Sequence, residues 1–490
     1  MTVRIIGAGL GGLSAAIHLA AAGREVVVHE RQSAAGGKAS ELRSDGFRFD
    51  TGPSLLTMPF VLDELYDIAG ALPDERVELV PVDPICRYHF SDGTLLDASS
   101  DEEEFLAQVR NFSPGEDVAV RRFLDYSQRI YELTSDIFLF NSLGDLKKLL
   151  RLRNLPTLLQ LPRIDAFRSV HEGVTSFFRD VRLQQLFDRY ATYNGSDPYQ
   201  APATLNIIPY VEYRLGGYYV RGGMYALVQS LYGIAIRLGV RFNFGSDVEG
   251  LETGAGRLRG LREGGCLHTA DAIVSNADAV FTMSRLAPLS ERAKRKYEKL
   301  EPSCSGLVFL WGVRGTRERL AQHNIFFSEN YREEFEDIFS RLRAPADPTV
   351  YVSITSREDP AHAPEGHENW FVLVNMPYLT EENRAQSIVS IRNRVLARLN
   401  RAGFDIEKDI VYESAVTPVD LELRFNANRG SIYGISSNAR NAAFLRPQSR
   451  VRSVPGLYLC GGAAHPGGGV PLVLLSGRLA AEAVLEDTEA

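Results

Sequence analysis

The sequence predicts an α/β protein whose parallel sheet is assembled from distant parts of the chain. Two glycine turns carry this expectation. The first stands in "VRIIGAGLGGLSAAIHLAAAGREVVVHE" at the start, and the second in "GLYLCGGAAHPGGGVPLVLLSGRLAAEAVLE" near the end. In each, a short apolar run ends in glycines and an amphipathic or Ala-rich helical pattern follows. At 490 residues the chain is too long for one simple core, so two or three domains are expected.

The N-terminal stretch reads in order as strand, turn, helix and strand. Val3 to Ile6 form a short buried strand. Gly7, Gly9 and Gly12 give GxGxxG, with Gly11 inside it. Gly7 permits the tight turn, Gly9 lets backbone approach a pyrophosphate, and Gly12 lets the helix sit close to the strand. The free N–H groups and positive dipole end of that helix suit phosphates. Gly23 is placed to cap its C-terminus. "EVVVHE" is the second strand, and its last residue, Glu30, is positioned for a ribose diol. Strand, helix, second strand and terminal acid together make this a Rossmann-like dinucleotide site.

A second glycine pair with a basic residue, Gly36-Gly37-Lys38, follows shortly after Glu30, and "FDTGPS" follows that. This pattern resembles the FAD-binding N-terminus of the amine oxidase and carotenoid desaturase superfamily. The C-terminal run, with Gly456, Tyr458, Gly461, His465, Pro466, Gly467 and Gly469, resembles the signature of bacterial phytoene desaturase-type carotenoid desaturases. Ala463 and Gly468 depart from that signature but keep the site small. "HPGGGVPL", with "ATLNIIPYVEYRLGGYYVRGGMYALVQSLYGIAIRLGV" and "DPTVYVSITSREDPAHAPEGHENWFVLVNMP", is most similar to the 1-hydroxycarotenoid 3,4-desaturases.

That resemblance implies FAD as cofactor. It places cofactor contacts at Gly7, Gly9, Gly11, Gly12, Glu30 and Arg31, and at Gly36, Gly37 and Lys38. Gly52, Pro53 and Ser54 join them, as do Val248 at the adenine end and Gly461, Gly462 and Val470 over the pyrophosphate and flavin. It implies a Rossmann-like FAD-binding domain of the amine oxidase and GDP-dissociation-inhibitor superfamily, with an inserted α+β substrate domain. The expected division gives the FAD domain 1–75, 215–290 and 413–490, and the substrate domain 76–214 and 291–412.

The implied activity is hydride transfer from a carotenoid C–C bond to flavin, most specifically at C3–C4 of a 1-hydroxylated acyclic carotenoid. Alternatives are a phytoene or diapophytoene desaturase, another superfamily oxidase, and a non-redox flavin-dependent carotenoid isomerase. A prenyl-binding chaperone of similar fold is the alternative from a different class. Glu30, Gly36-Gly37-Lys38 and the C-terminal glycine turn argue against it. No second GxGxxG opens a βαβ unit, so the expected electron acceptor is a quinone or oxygen rather than NAD(P)H.

His465 lies in the turn nearest the expected flavin. It is the candidate for assisting proton removal, against a role in holding the turn. Arg446 and Tyr433 are candidates for the substrate channel, against ordinary packing. His18, His29, His362 and His367 have no helix-borne ligand pair, and the four cysteines form no CxxC, so no metal site is expected. A net charge of −8 argues against nucleic acid as a partner. The scattered cysteines fit a reducing cytoplasm. The sequence shows no signal-peptide pattern and no bilayer-spanning apolar run, so any membrane contact is expected to be peripheral. Residues 137–164 interleave leucines with Lys147, Lys148, Arg151, Arg153 and Arg163, as an interfacial helix pair or a solvated basic face does. A lipid-dissolved substrate favours peripheral contact with the inner face of the cell membrane.

Overall fold

The computed structural model describes residues 1–141, 164–439 and 446–489. Most of the basic segment 137–164 therefore lies outside the described residues.

A five-stranded sheet forms the nucleotide-binding layer. Its order is Leu457–Leu459, Ala272–Ser275, Thr2–Ile6, Glu25–Glu30 and Arg241–Phe244, and every neighbouring pair is parallel. Strands with Val3, Ile5, Val26 and Val28 fully or almost fully buried suit a sheet covered on both faces. The order is that of a doubly wound sheet, in which strand succession reverses beside the first strand. Here the reversal falls between Thr2–Ile6 and Ala272–Ser275, so the crevice opens beyond Ile6 and Ser275.

Three helices pack around this sheet: Leu10–Ala21, Met224–Arg237 and Val470–Glu489. The first and last approach closely because the contact is made of small residues. A Cβ on Gly477 would stand 2.4 Å from the Gly11 carbonyl oxygen and 2.7 Å from the Ser14 Cβ. Ser14 Oγ donates to the Leu474 carbonyl at 2.7 Å across the same contact. The first helix ends as expected, with Gly23 at φ +75° and its N–H donating to Ala20.

The second layer is a seven-stranded sheet. Its order is Ile410–Val416, Ser305–Arg314, His367–Met376, Val350–Ile354, His323–Phe326, Cys86–His89 and Leu95–Ala98. Only the pair His323–Phe326 with Cys86–His89 is parallel. One face, packed against the helix Ile388–Arg401, carries Trp311 and Trp370, both fully buried, and the inner face carries Val308, Phe371 and Leu373. The boundary drawn at 412/413 falls inside Ile410–Val416. That strand pairs with Ser305–Arg314 up to Val416, so the substrate layer runs on to that residue. A three-stranded antiparallel sheet, Val248–Gly254, Arg257–Glu263 and Cys266–Thr269, sits beside the parallel one.

A hairpin, Glu41–Ser44 with Phe47–Asp50, ties the layers together. Arg48 makes a bidentate pair with Asp50, both contacts at 2.7 Å. Asp50 also accepts from the Met224 and Tyr225 N–H groups at 3.0 and 3.1 Å. These are first-turn donors of the Met224–Arg237 helix, whose N-cap Gly223 has no side chain to offer. A Cβ at Gly223 would lie 2.0 Å from the Arg48 guanidinium. No described helix is long and apolar enough to cross a membrane.

Candidate functional site

One cavity of about 510 Å³ opens at the switch point of the parallel sheet and runs to the inner face of the seven-stranded sheet. Its near end is made largely of backbone. Gly7 turns the chain at φ +93° and donates its N–H to His29 at 2.8 Å. The helix Leu10–Ala21 begins at Gly9 without a side-chain cap, and both Gly9 and Leu10 line the cavity. Uncapped first-turn N–H groups facing a cavity are a ready anion site.

Gly36 bridges to Gly9 and adopts φ +124°, which side chains rarely accept. A Cβ at Gly52 would stand 2.1 Å from the Lys38 carbonyl oxygen. Gly7, Gly9, Glu30, Arg31, Gly36, Gly37, Lys38, Gly52, Pro53, Ser54, Val248, Gly462 and Val470 all line the cavity. Gly11, Gly12, Gly461 and His465 stand behind its wall.

Those residues act through packing. A Cβ on Gly12 would be 2.1 Å from the Gly7 carbonyl oxygen, so the helix rests directly on the turn. A Cβ on Gly11 or on Gly461 would lie 2.6 Å from Asn276 Oδ1. Asn276 follows the strand Ala272–Ser275 and sits between the two glycine turns. Gly461 also donates to Ser476 Oγ at 3.1 Å, and Ser476 Oγ donates to the His465 carbonyl at 2.7 Å.

His465 is buried, and its Nε2 meets the Asn141 carbonyl at 3.0 Å. Burial pushes its pKa down to about 4, so the ring is neutral near pH 7. With one ring nitrogen on a carbonyl and its main chain bonded to Pro447 and Ser476, its visible work is to hold the turn.

The charged groups of the near end are mostly engaged with backbone. Glu30 accepts from the Ala8 N–H at 2.7 Å and the Gln32 N–H at 2.8 Å, which locks the glycine turn against the second strand. Arg31 donates to the Leu423 and Arg424 carbonyls at 2.7 and 2.6 Å. Lys38 donates to the Ser431 and Ile432 carbonyls at 3.1 and 2.7 Å. Burial pushes the Lys38 pKa down to about 8, partly opposed by the charge of Asp278. Asp278 in turn is raised by burial and caps Val280 and Phe281.

Arg446 is also buried. It donates to the Gly462 and Ile435 carbonyls, both at 2.8 Å, stitching 433–435 to the second glycine turn. Tyr433 lines the cavity; Arg446 stands behind it.

Uncapped helix backbone, glycine walls and the half-buried Lys38 fit a phosphate-bearing cofactor, and comparison with known proteins names its class. Residues 10–485 match the flavin containing amine oxidoreductase family. The chain belongs to that family. It is 37% identical to the 1-hydroxycarotenoid 3,4-desaturase of Flavobacterium sp. (strain P99-3), over 98% of each chain. It is equally, 37%, identical to the 4,4'-diapolycopene oxygenase of Methylomonas sp, over 99% of this chain and 98% of that one. An oxidoreductase from Methanosarcina mazei shares the fold, with a TM-score of 0.66 at 18% identity over 99% of this chain and 100% of that one.

At the far end of this oxidoreductase's cavity the walls are side chains. Val308, Phe371 and Leu373 come from neighbouring strands of the seven-stranded sheet. Beyond them stand Arg189, Glu212, His323 and Tyr351, which sequence reasoning missed. Arg189 lies between the rings of Tyr88, Tyr190 and Tyr193, and Tyr190 and Tyr193 both donate to Glu212. No local motif marks these residues; they are gathered from separate segments. Asn276 and Asp278 had a faint signal, since "SNAD" directly follows a buried strand as "GAG" does.

Proposed function

We propose that the chain is an FAD-dependent desaturase of acyclic carotenoids, acting at C3–C4 of a 1-hydroxylated substrate. The observation that carries this reading is the single cavity that joins a glycine cradle to a largely aliphatic and aromatic chamber. The full-length identity with a 1-hydroxycarotenoid 3,4-desaturase supports the bond position. FAD, rather than a smaller flavin, suits a cradle with two glycine turns on the phosphates and Glu30 and Val248 beyond them.

When bound, the flavin supplies a two-electron acceptor. The chain supplies binding, alignment and dryness. Gly9, Leu10 and Gly469 offer backbone to the cofactor from two helix starts. Val308, Phe371, Leu373 and Tyr433 offer apolar surface along which a polyene slides and from which water is excluded. Two C–H bonds break and one C=C forms; one hydrogen leaves as hydride and its neighbour as a proton. Reoxidation by a quinone or oxygen, and membrane contact through 137–164 on the cytoplasmic face, belong to the same proposal.

A second reading is favoured by one observation. The oxygenase from Methylomonas sp is as similar as the desaturase. An anaerobic turnover separates the two. Holoenzyme with a 1-hydroxylated acyclic carotenoid in liposomes should bleach the flavin and give a longer polyene without oxygen. A requirement for oxygen, with a carbonyl appearing on the product, would replace this reading by the oxygenase one.

A further inference from the structure

The far wall of the cavity carries polar atoms that a hydrocarbon cannot satisfy. His323 opens the strand His323–Phe326, is 2% exposed and lines the cavity. Its Nδ1 lies 2.7 Å from the Tyr351 hydroxyl, which lies 2.6 Å from Ser54 Oγ. Its Nε2 has no hydrogen-bond partner. Arg189 stands in the same wall. One of its terminal nitrogens donates to the Tyr88 hydroxyl at 2.6 Å and to Glu212 at 3.2 Å, while its Nε has no partner.

Two unpaired polar atoms on buried side chains of one apolar chamber are costly. Native structures keep such atoms where water or a ligand pairs with them. The two groups also share one electrostatic neighbourhood. Burial, and secondly the charge of Arg189, push the His323 pKa down to about 4, so the imidazole is neutral at pH 7. A neutral imidazole carries one donor and one acceptor nitrogen, whereas Arg189 Nε only donates. A hydroxyl, which both donates and accepts, serves either tautomer of His323 and serves Arg189.

We infer that His323, oriented by Tyr351 and assisted by Arg189, receives an oxygen function on the end group of the substrate and selects oxygenated acyclic carotenoids over the hydrocarbon. This rests on the desaturase reading above. The position agrees with the chemistry of that reading. In a 1-hydroxylated carotenoid the oxygen-bearing carbon is only two bonds from C3. The His323–Tyr351 pair is likewise one hydrogen bond from Ser54, in the segment the sequence assigns to the cofactor. That hydrogen bond links the oxygen reader to the segment expected to touch the cofactor. Discrimination follows from the unpaired atoms. A hydrocarbon end group offers them no partner, which is how a polar pocket rejects an analogue lacking the polar group.

The test is equilibrium binding to holoenzyme of an acyclic hydrocarbon carotenoid and its 1-hydroxylated counterpart, both presented in the same mixed micelles. Wild type should bind the hydroxylated compound on the order of tenfold or more tighter. His323→Leu should erase most of that ratio while leaving hydrocarbon binding unchanged or improved, and His323→Gln should restore part of it. If His323→Leu does not retain flavin, Tyr351→Phe decides, with a smaller loss in the same direction. An unchanged ratio in a flavin-loaded variant, or an equal loss for both ligands, overturns the inference. If wild type prefers the hydroxylated ligand in this way yet yields no longer polyene anaerobically, the desaturase reading falls and the oxygen reader stands.

Discussion

At the cradle end of the cavity the walls are backbone: Gly7, Gly9, Gly36, Gly52 and Gly462 leave space by having no side chains. At the far end the walls are side chains: Arg189, Glu212, His323 and Tyr351 meet there from four segments and fill space with polar groups on an apolar ground. The cradle's shape depends on what is missing, so an added methyl group damages it. The far wall's character depends on which atoms find partners, so an isosteric change of polarity matters more there than a change of volume. The two ends of one cavity should therefore fail in different ways.

The largest effect is expected where backbone touches backbone. A Cβ on Gly12 would stand 2.1 Å from the Gly7 carbonyl oxygen, well inside any tolerable contact. Gly12→Val must move the helix Leu10–Ala21 off the turn, and with it the contacts to Gly461 and Gly477. Overpacking of this kind costs about 1–3 kcal/mol where neighbours can yield, and a backbone turn yields little. The expected outcome is protein purified without visible flavin absorbance and with a melting temperature well below wild type. A flavin-loaded variant melting with wild type would break the claim that the cradle is shaped by missing side chains.

This difference also explains what was legible in the sequence. The parallel strands, the helix ending at Gly23 and the helix beginning at Val470 could be read because each is encoded by neighbours in the chain. So could the cavity-lining glycines, since a glycine turn between strand and helix has a local spacing. The far wall had no such spacing. His323 opens an otherwise apolar strand, and Tyr351 sits across the sheet from Ile325. Only sheet register brings them together. At His465 the sequence leaves two roles open, proton removal or holding the turn, because a local glycine pattern does not show what the ring meets. Burial and the Asn141 carbonyl hold it behind the wall. The 412/413 boundary missed for a related reason: "IVYESAV" pairs with a strand some hundred residues earlier, and no local feature announces that partner.

A middle-sized effect sharpens the contrast on the side-chain end. Behind the far wall, Glu334 is buried and accepts from Thr349 Oγ1 at 2.6 Å, Ser328 Oγ at 2.8 Å and the Thr349 N–H at 3.1 Å. Burial outweighs these bonds and raises its pKa from 4.5 to about 7. The folded state then holds a proton between those values that the unfolded state has released. Its contribution to stability is fully present below pH 4.5 and is lost as pH rises through 7. The loss is of order 3 kcal/mol. Melting of wild type should fall between pH 5 and 8, and Glu334→Gln, which cannot ionise, should flatten that slope. A slope that survives the substitution would show that polarity behind this wall is not balanced by protonation.

The smallest effect concerns a glycine that shapes nothing. Gly233 lies inside the helix Met224–Arg237, which packs on the same core as the cradle. It is exposed, its φ is not positive, and a Cβ there would meet nothing within 4 Å. Glycine in a helix interior loses more backbone entropy on folding than alanine, by about 0.5–1 kcal/mol. Gly233→Ala should therefore raise stability by about that amount and leave flavin content and absorbance unchanged. Chemical denaturation with an unchanged m-value would register it. Set beside Gly12→Ala, whose Cβ alone would stand 2.1 Å from the Gly7 carbonyl oxygen, the pair makes one and the same change and varies only what surrounds the missing side chain. If both substitutions destabilised, glycine would matter here through the chain's flexibility. Opposite signs assign the cradle to close approach, which is the property a phosphate-bearing ligand needs from it.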